Sequence, residues 1–271
     1  MPDRTFITAL IEQGVDKNGD GTISQEESEA VISLDVGSSG ITDLTGIEAF
    51  INLKHLLCSD NQITNLDLSS NTALTELQVH INQLTTLDVS GNTVLRELYV
   101  HLNQLKILDI TYNTALEKLS VSRNELTSLD VSNNMGLIEL TLGSNRLTNL
   151  DISNNTALQW LHLDNNQLSS LDISNNTALE FLNLINNQLS ILDVTNNASL
   201  IILSVYGNQL TSLDVSSNTA LEVLNCGFNQ LTSLNISNNR TLSSIGIHDM
   251  PSISKVCVWE IPFPPDGVGV D

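Results

Sequence analysis

The chain is poor in aromatic residues, which make up 4% of its 271 positions, and it holds only five prolines and three cysteines. A core must therefore be assembled from Leu, Ile and Val, because hydrophobic residues total 41%. Cationic residues are as scarce. Ten Lys and Arg stand against 31 Asp and Glu, a formal net charge of -21. Nucleic acids and anionic membranes both require a basic face, so neither is expected as a partner. No apolar run approaches the length of a membrane span. The opening residues MPDRTF carry none of the three regions of a signal peptide, so the chain is either cytosolic or has had a leader removed.

What the sequence has in abundance is repetition. Leu77 returns every 21 residues as far as Leu224, and Asn82 as far as Asn229, without an insertion. Asp67 does the same as far as Asp214, with Asn235 closing that column. Such periodicity specifies a solenoid. Each unit divides again, since LTELQVHINQ (Leu74–Gln83) and LTTLDVSGNTV (Leu84–Val94) both read L-x-x-L-x-V-x-x-N. The L-x-V segments have the period of short strands with Leu and Val turned inward, two per coil, which predicts two parallel sheets. Asparagines at both corners are expected to bond the backbone of neighbouring coils, because buried turns must place their amides. Ten coils at about 4.8 Å each would make a rod roughly 48 Å long with little helix.

The motif resembles that of the leucine-rich repeat family, L-x-x-L-x-L-x-x-N-x-L, over about residues 34–250. It is most similar to the nested 21-residue bacterial class called IRREKO, common in secreted Bacteroidetes proteins. ITDLTGIEAFINLKHLLCSDNQI (Ile41–Ile63) resembles the start of an internalin-type repeat. The resemblance implies a mostly β solenoid wound as a right-handed coil, and adhesion or host contact as its use. The expected organisation is a helical cap over 1–33, an internalin-like first coil over 34–60, regular repeats over 61–250, and a shortened last coil with a truncated cap over 251–271.

The two halves of the unit differ. LDVSxNTxL is copied almost unchanged, while the outward positions of the other half vary freely. The copied half reads as a frame whose aspartates fix the next turn; the alternative is a template that collects cations or orders water. The varied half places Tyr99, His101, Trp160, His162, Phe181, Asn183, Ile185, Ile202, Tyr206 and Val223 outward, with Phe228 at the corner. Most of the chain's few aromatics thus face solvent, as on a binding surface. The expected ligand is an extracellular protein or glycan. The runner-up reading is a structural spacer or cation-binding surface protein that uses the aspartate face.

Ahead of the repeats, DKNGDGTISQEE (Asp16–Glu27) satisfies the demands of an EF-hand loop. Asp16, Asn18 and Asp20 offer oxygens at positions 1, 3 and 5, and Gly21 supplies the sharp turn. Thr22 offers its carbonyl at position 7, Ser24 acts through water at 9, and Glu27 closes the site at 12. Phe6–Gly14 and Ser24–Ile32 read as the flanking helices. A Ca²⁺-clamped cap is therefore expected, and a lone site of this kind fills at extracellular calcium levels, which favours a secreted or cell-surface protein.

Cys58 and Cys226 fall in the inward valine column about 38 Å apart, far beyond disulfide reach, whereas Cys257 and Trp259 turn outward. His80 and His101 share an outward position on adjacent strands, but no further ligand completes a metal site. No Ser/His/Asp or Cys/His set falls together and no phosphate loop is present, so enzymatic activity is not expected.

Overall fold

A computed structural model of the chain describes residues 3–259 and 269–270. The chain divides into two compact units, Met1–Gly136 and Leu137–Asp271. The first opens with helices α1 (Arg4–Glu12) and α2 (Gln25–Glu29), then strand β1 (Ser33–Asp35) and a 3-10 turn at Ile47–Ala49. Strands β2 (His55–Leu57), β3 (Glu76–Gln78), β4 (Glu97–Tyr99) and β5 (Lys118–Ser120) follow. Strands β1 to β5 pair in order and in parallel, Leu56 opposite Leu77 and Leu77 opposite Leu98.

The second unit repeats the plan with β6 (Glu139–Thr141), β7 (Trp160–His162), β8 (Phe181–Asn183), β9 (Ile202–Ser204) and β10 (Val223–Asn225). Its remaining strands are β11 (Ser233–Asn235), β12 (Ser244–Gly246), β13 (Lys255–Cys257) and β14 (Gly269–Val270). Strands β6 to β10 pair in order, β10 pairs β12, and β12 pairs β14, all in parallel. Both units are thus parallel β-solenoids with little helix. The last coil expected over 251–271 falls partly outside the described residues.

Each of the strands β1 to β11 turns its central leucine into the core and its two neighbours outward. Leu77, Leu98, Leu161, Leu182 and Leu203 are all fully buried. The corner after each of β2 to β10 is held by a buried asparagine. Asn103 Oδ1 accepts from Leu84 N at 2.9 Å, while its Nδ2 donates to Val79 O at 3.0 Å and Val100 O at 3.1 Å. One amide therefore satisfies groups of two coils at once, which is what a buried backbone turn needs. At the opposite corner Asn113 Nδ2 donates to Val89 O and Asn92 O.

On the copied half, a ladder forms only between β11 and β13 among the described residues. Elsewhere the amides of that half are spent locally. Ser90 N donates to Asp88 Oδ1 at 2.9 Å and Asn92 N to Val89 O at 2.9 Å, closing turns within one coil.

At the amino end α2 is shorter than the Ser24–Ile32 expected. Ala30 caps it, and Ile32 O already accepts from Lys54 N and His55 N, so the chain has left the helix to begin the solenoid.

Candidate functional site

In the second unit the varied sheet carries one apolar column. Trp160 lies opposite Phe181, Phe181 opposite Ile202, and Ile202 opposite Val223, each pair in register on neighbouring strands. Trp160 is 40% exposed and the other three are half-buried, so the column lies open to solvent with its edges packed together. A second, polar column runs beside it through His162, Asn183, Ser204 and Asn225. The His162 ring stacks on Phe181 with centroids 4.4 Å apart at 21°, tying the two columns. Burial lowers the His162 pKa from its ordinary value, against smaller opposing pulls from Asp164 and Glu139.

Past the strand ends, Ile185 is half-buried, and Tyr206 tilts against both Phe228 and His248 at 5.8 and 5.4 Å between centroids. Phe228 is 58% exposed. Asn183 Nδ2 donates to Asp164 Oδ1 at 3.4 Å and its Oδ1 accepts from Ile185 N. The residues expected on this face in the second unit are therefore brought together, from Trp160 to Phe228.

The first unit presents a different face. His55 meets Glu76 at 3.1 Å, Lys118 donates to Glu97 at 3.1 Å, and the Tyr99 hydroxyl donates to Glu97 at 2.8 Å. Tyr99 is thus part of a charged network. His101 stacks on His80, and its Nδ1 lies 3.1 Å from Ser120 Oγ.

A feature absent from the sequence reading runs along the corner beside these strands. Ile81, Leu102, Arg123, Ser144, Asn165, Asn186, Gly207 and Phe228 all have φ between 51° and 69°. This left-handed region suits Gly and Asn and penalises Ile. The signal was there: Asp60, Asn165, Asn186, Gly207 and Asp249 occupy this one column.

At the cap, the loop folds as its glycines require, with Gly19 at φ 74° and Gly21 at φ 81°. Asp16 accepts from Gly19 N and Gly21 N, Asn18 Oδ1 from Asp20 N, and Asp20 Oδ1 from Thr22 N and Oγ1. Ser24 caps α2 and forms a reciprocal box with Glu27. The Glu27 carboxylate also reaches across the loop to Lys17 N at 2.6 Å and Asn18 N at 3.2 Å. Among the described residues no three His, Cys, Asp or Glu side chains converge as a metal site. The donor chemistry is nevertheless that of calcium: the oxygens of Asp16, Asn18, Asp20 and Glu27, with the Thr22 carbonyl and the Ser24 hydroxyl. For Glu27 to hold an ion there, its carboxylate would have to give up the Lys17 and Asn18 amides.

The cap joins the first coil through polar contacts. Asp3 Oδ2 accepts from Thr42 N at 2.7 Å and Thr42 Oγ1 at 2.9 Å, and the amide of Thr42 is the main reason its pKa lies well below the usual carboxylate range. Asn52 Nδ2 donates to Glu29 O, and Gln13 Nε2 to Asp35 O. Between cap and coil remains an apolar cavity of about 270 Å³ lined by Phe6, Leu10, Ile23 and Phe50 among others.

Comparison with known proteins places this geometry. No family model matches the chain. A stretch of 72 residues is 40% identical to Internalin J of Listeria monocytogenes serotype 4b, covering 27% of this chain and 8% of that protein. The solved functional domain of InlJ from Listeria monocytogenes, which includes a cysteine ladder, superposes with a TM-score of 0.83 at 37% identity. That match covers 87% of this chain and 55% of the other. This is an internalin-like leucine-rich repeat fold. A crystal structure of the internalin inlF shares the fold at 22% identity and TM-score 0.61, with 94% of each chain covered.

In this internalin-like solenoid the aspartate column is turned back on its own backbone. Asp67, Asp88, Asp109, Asp151, Asp172, Asp193 and Asp214 each accept from the amide two residues on, at 2.9–3.0 Å. Those bonds, from backbone and flanking hydroxyls, lower every one of these pKa values. Cys58 and Cys226 are buried free thiols, and burial pushes the Cys226 pKa up to about 12. Cys257 is free and half-exposed. Among the described residues no helix is long and apolar enough to cross a membrane.

Proposed function

We propose that the chain is a recognition module, exported or displayed at a cell surface, that binds a partner protein or glycan through its varied sheet without catalysing a reaction. The observation that carries the reading is the apolar column Trp160–Phe181–Ile202–Val223, four large side chains in register on adjacent strands of the varied sheet, with Trp160 exposed and the other three half-buried. The similarity to Internalin J supports it. The aspartate face is the weaker candidate, because each of its described carboxylates already serves its own turn.

One Ca²⁺ ion would stiffen the cap, held by Asp16, Asn18, Asp20, Thr22, Ser24 and Glu27. Terminal coils of a solenoid need a cover, and here that cover combines the buried Phe6, Ala9 and Leu10 with a few polar bonds, over a partly empty apolar space.

The test is binding to an array of extracellular proteins and glycans in calcium, beside a Trp160→Ala, Phe181→Ala, Tyr206→Ala variant of equal thermal stability. Binding lost in the variant establishes the face and gives the ligand class. Binding retained in full sinks the assignment to this sheet.

A further inference from the structure

The charges around the apolar column are of one sign. Glu139 lies opposite Trp160 at the head of the column. Glu180 directly precedes Phe181 and Glu222 directly precedes Val223; the first is half-exposed and the second exposed. Asp164 borders the far side, next to Asn183. The second unit has three cationic residues, and none stands on a strand of this face. Arg146 follows the corner asparagine Asn145, Arg240 follows Asn239, and Lys255 lies on β13 in the other sheet.

An apolar strip with an acidic margin and no Lys or Arg on its own strands selects its partner by charge as well as by shape, since like charges across an interface oppose association and opposite charges steer it. We infer that the varied face of the second unit takes a protein segment whose apolar ridge is flanked by Lys or Arg. This rests on the recognition reading above and specifies its partner. The apolar column sets the lifetime of the complex, and Glu139, Glu180, Glu222 and Asp164 set its rate of formation and its preference for basic over acidic partners. A neutral glycan could use the aromatic rings but would be indifferent to these carboxylates.

A random dodecapeptide library displayed on phage tests this. The whole chain serves as bait, with counterselection on the Trp160→Ala, Phe181→Ala variant. Enrichment of sequences that combine apolar residues with Lys or Arg is expected. Glu180→Lys together with Glu222→Lys should then weaken a selected peptide about tenfold at low salt, with the difference shrinking at high salt. The control, Asp151→Lys with Asp172→Lys on the copied half, should leave the affinity unchanged. Enriched peptides that need Trp160 and Phe181 but are neutral or acidic would overturn the charge inference and leave the recognition reading intact. Equal weakening by the control pair would also overturn it, because only the net charge would then matter. Failure to enrich any peptide over the variant would overturn the assignment to a protein partner; the array measurement would then decide whether the face binds anything.

Discussion

His80 and His101, one coil apart, stack face to face with ring centroids 4.3 Å apart and planes 13° from parallel. Two imidazoles so placed tolerate at most one charge. Burial, followed by the proximity of His80, lowers the His101 pKa to about 4. Burial also lowers that of His80, against a smaller opposing pull from Asp60. The unfolded chain therefore binds protons near the ordinary histidine value of about 6.5 that the folded chain refuses. Stability is full above that value and falls as the pH drops from about 6.5 toward 4. Melting temperature should decline between pH 7.5 and 5, before most carboxylates titrate. In His101→Gln the decline should be shallower, the remainder belonging to His80 and His162. An identical slope in the variant would remove the stack from the explanation.

Ile81 sits at φ 55° with its side chain 42% exposed, a poor conformation for a β-branched residue. Its backbone amide still donates to His101 O at 3.0 Å, so the corner, and not the side chain, dictates the conformation. Ile81→Asn should stabilise the protein by about 1 kcal/mol. A lower melting temperature would mean that the exposed isoleucine makes a contact worth more than the strain.

Asn103→Ala removes one acceptor and two donors from a buried corner, stranding Leu84 N and leaving the Val79 and Val100 carbonyls with Asn82 Nδ2 and Asn124 Nδ2 in place of two donors each. The expected cost is about 2–4 kcal/mol, measured by denaturation. A loss below about 0.5 kcal/mol would show that the backbone finds other partners there.

Calcium should raise the melting temperature of the cap relative to chelator, and Glu27→Gln should abolish the difference. The solenoid itself is expected to keep its circular dichroism in chelator. Equal melts of the native chain in calcium and in chelator would discard the clamp.

The fold was legible because its determinants are periodic. Leucine and asparagine columns at one spacing locate the core, the strands beside it and the corners, and these are interactions between a residue and its own copy in the next coil. The pattern L-x-V was less informative about hydrogen bonding. It reads alike for a laddered strand and for the extended stretch at Asp88, since both alternate in and out; only the aspartate two residues before Ser90 distinguishes them by taking its amide. The apolar face was legible from the scarcity of aromatics. The left-handed corner was not read, because Ile81, Leu102 and Phe228 mask a column that Asn and Gly would otherwise announce. Nor was the reach of Glu27 to Lys17 and Asn18, a conformational choice that motif spacing does not encode.

The side chains of Asn103 and Asn124 reach their own coil and the coil before. Asn103 finds Val100, Leu84 and Val79, and Asn124 repeats those offsets with Val121, Leu105 and Val100. A tandem duplication or loss of one whole unit therefore leaves every offset intact, whatever side chains the unit carries outward. Coils of this kind behave as interchangeable tiles. A lineage can lengthen, shorten or reorder its recognition surface by recombination between near-identical repeats, without first solving the folding problem again.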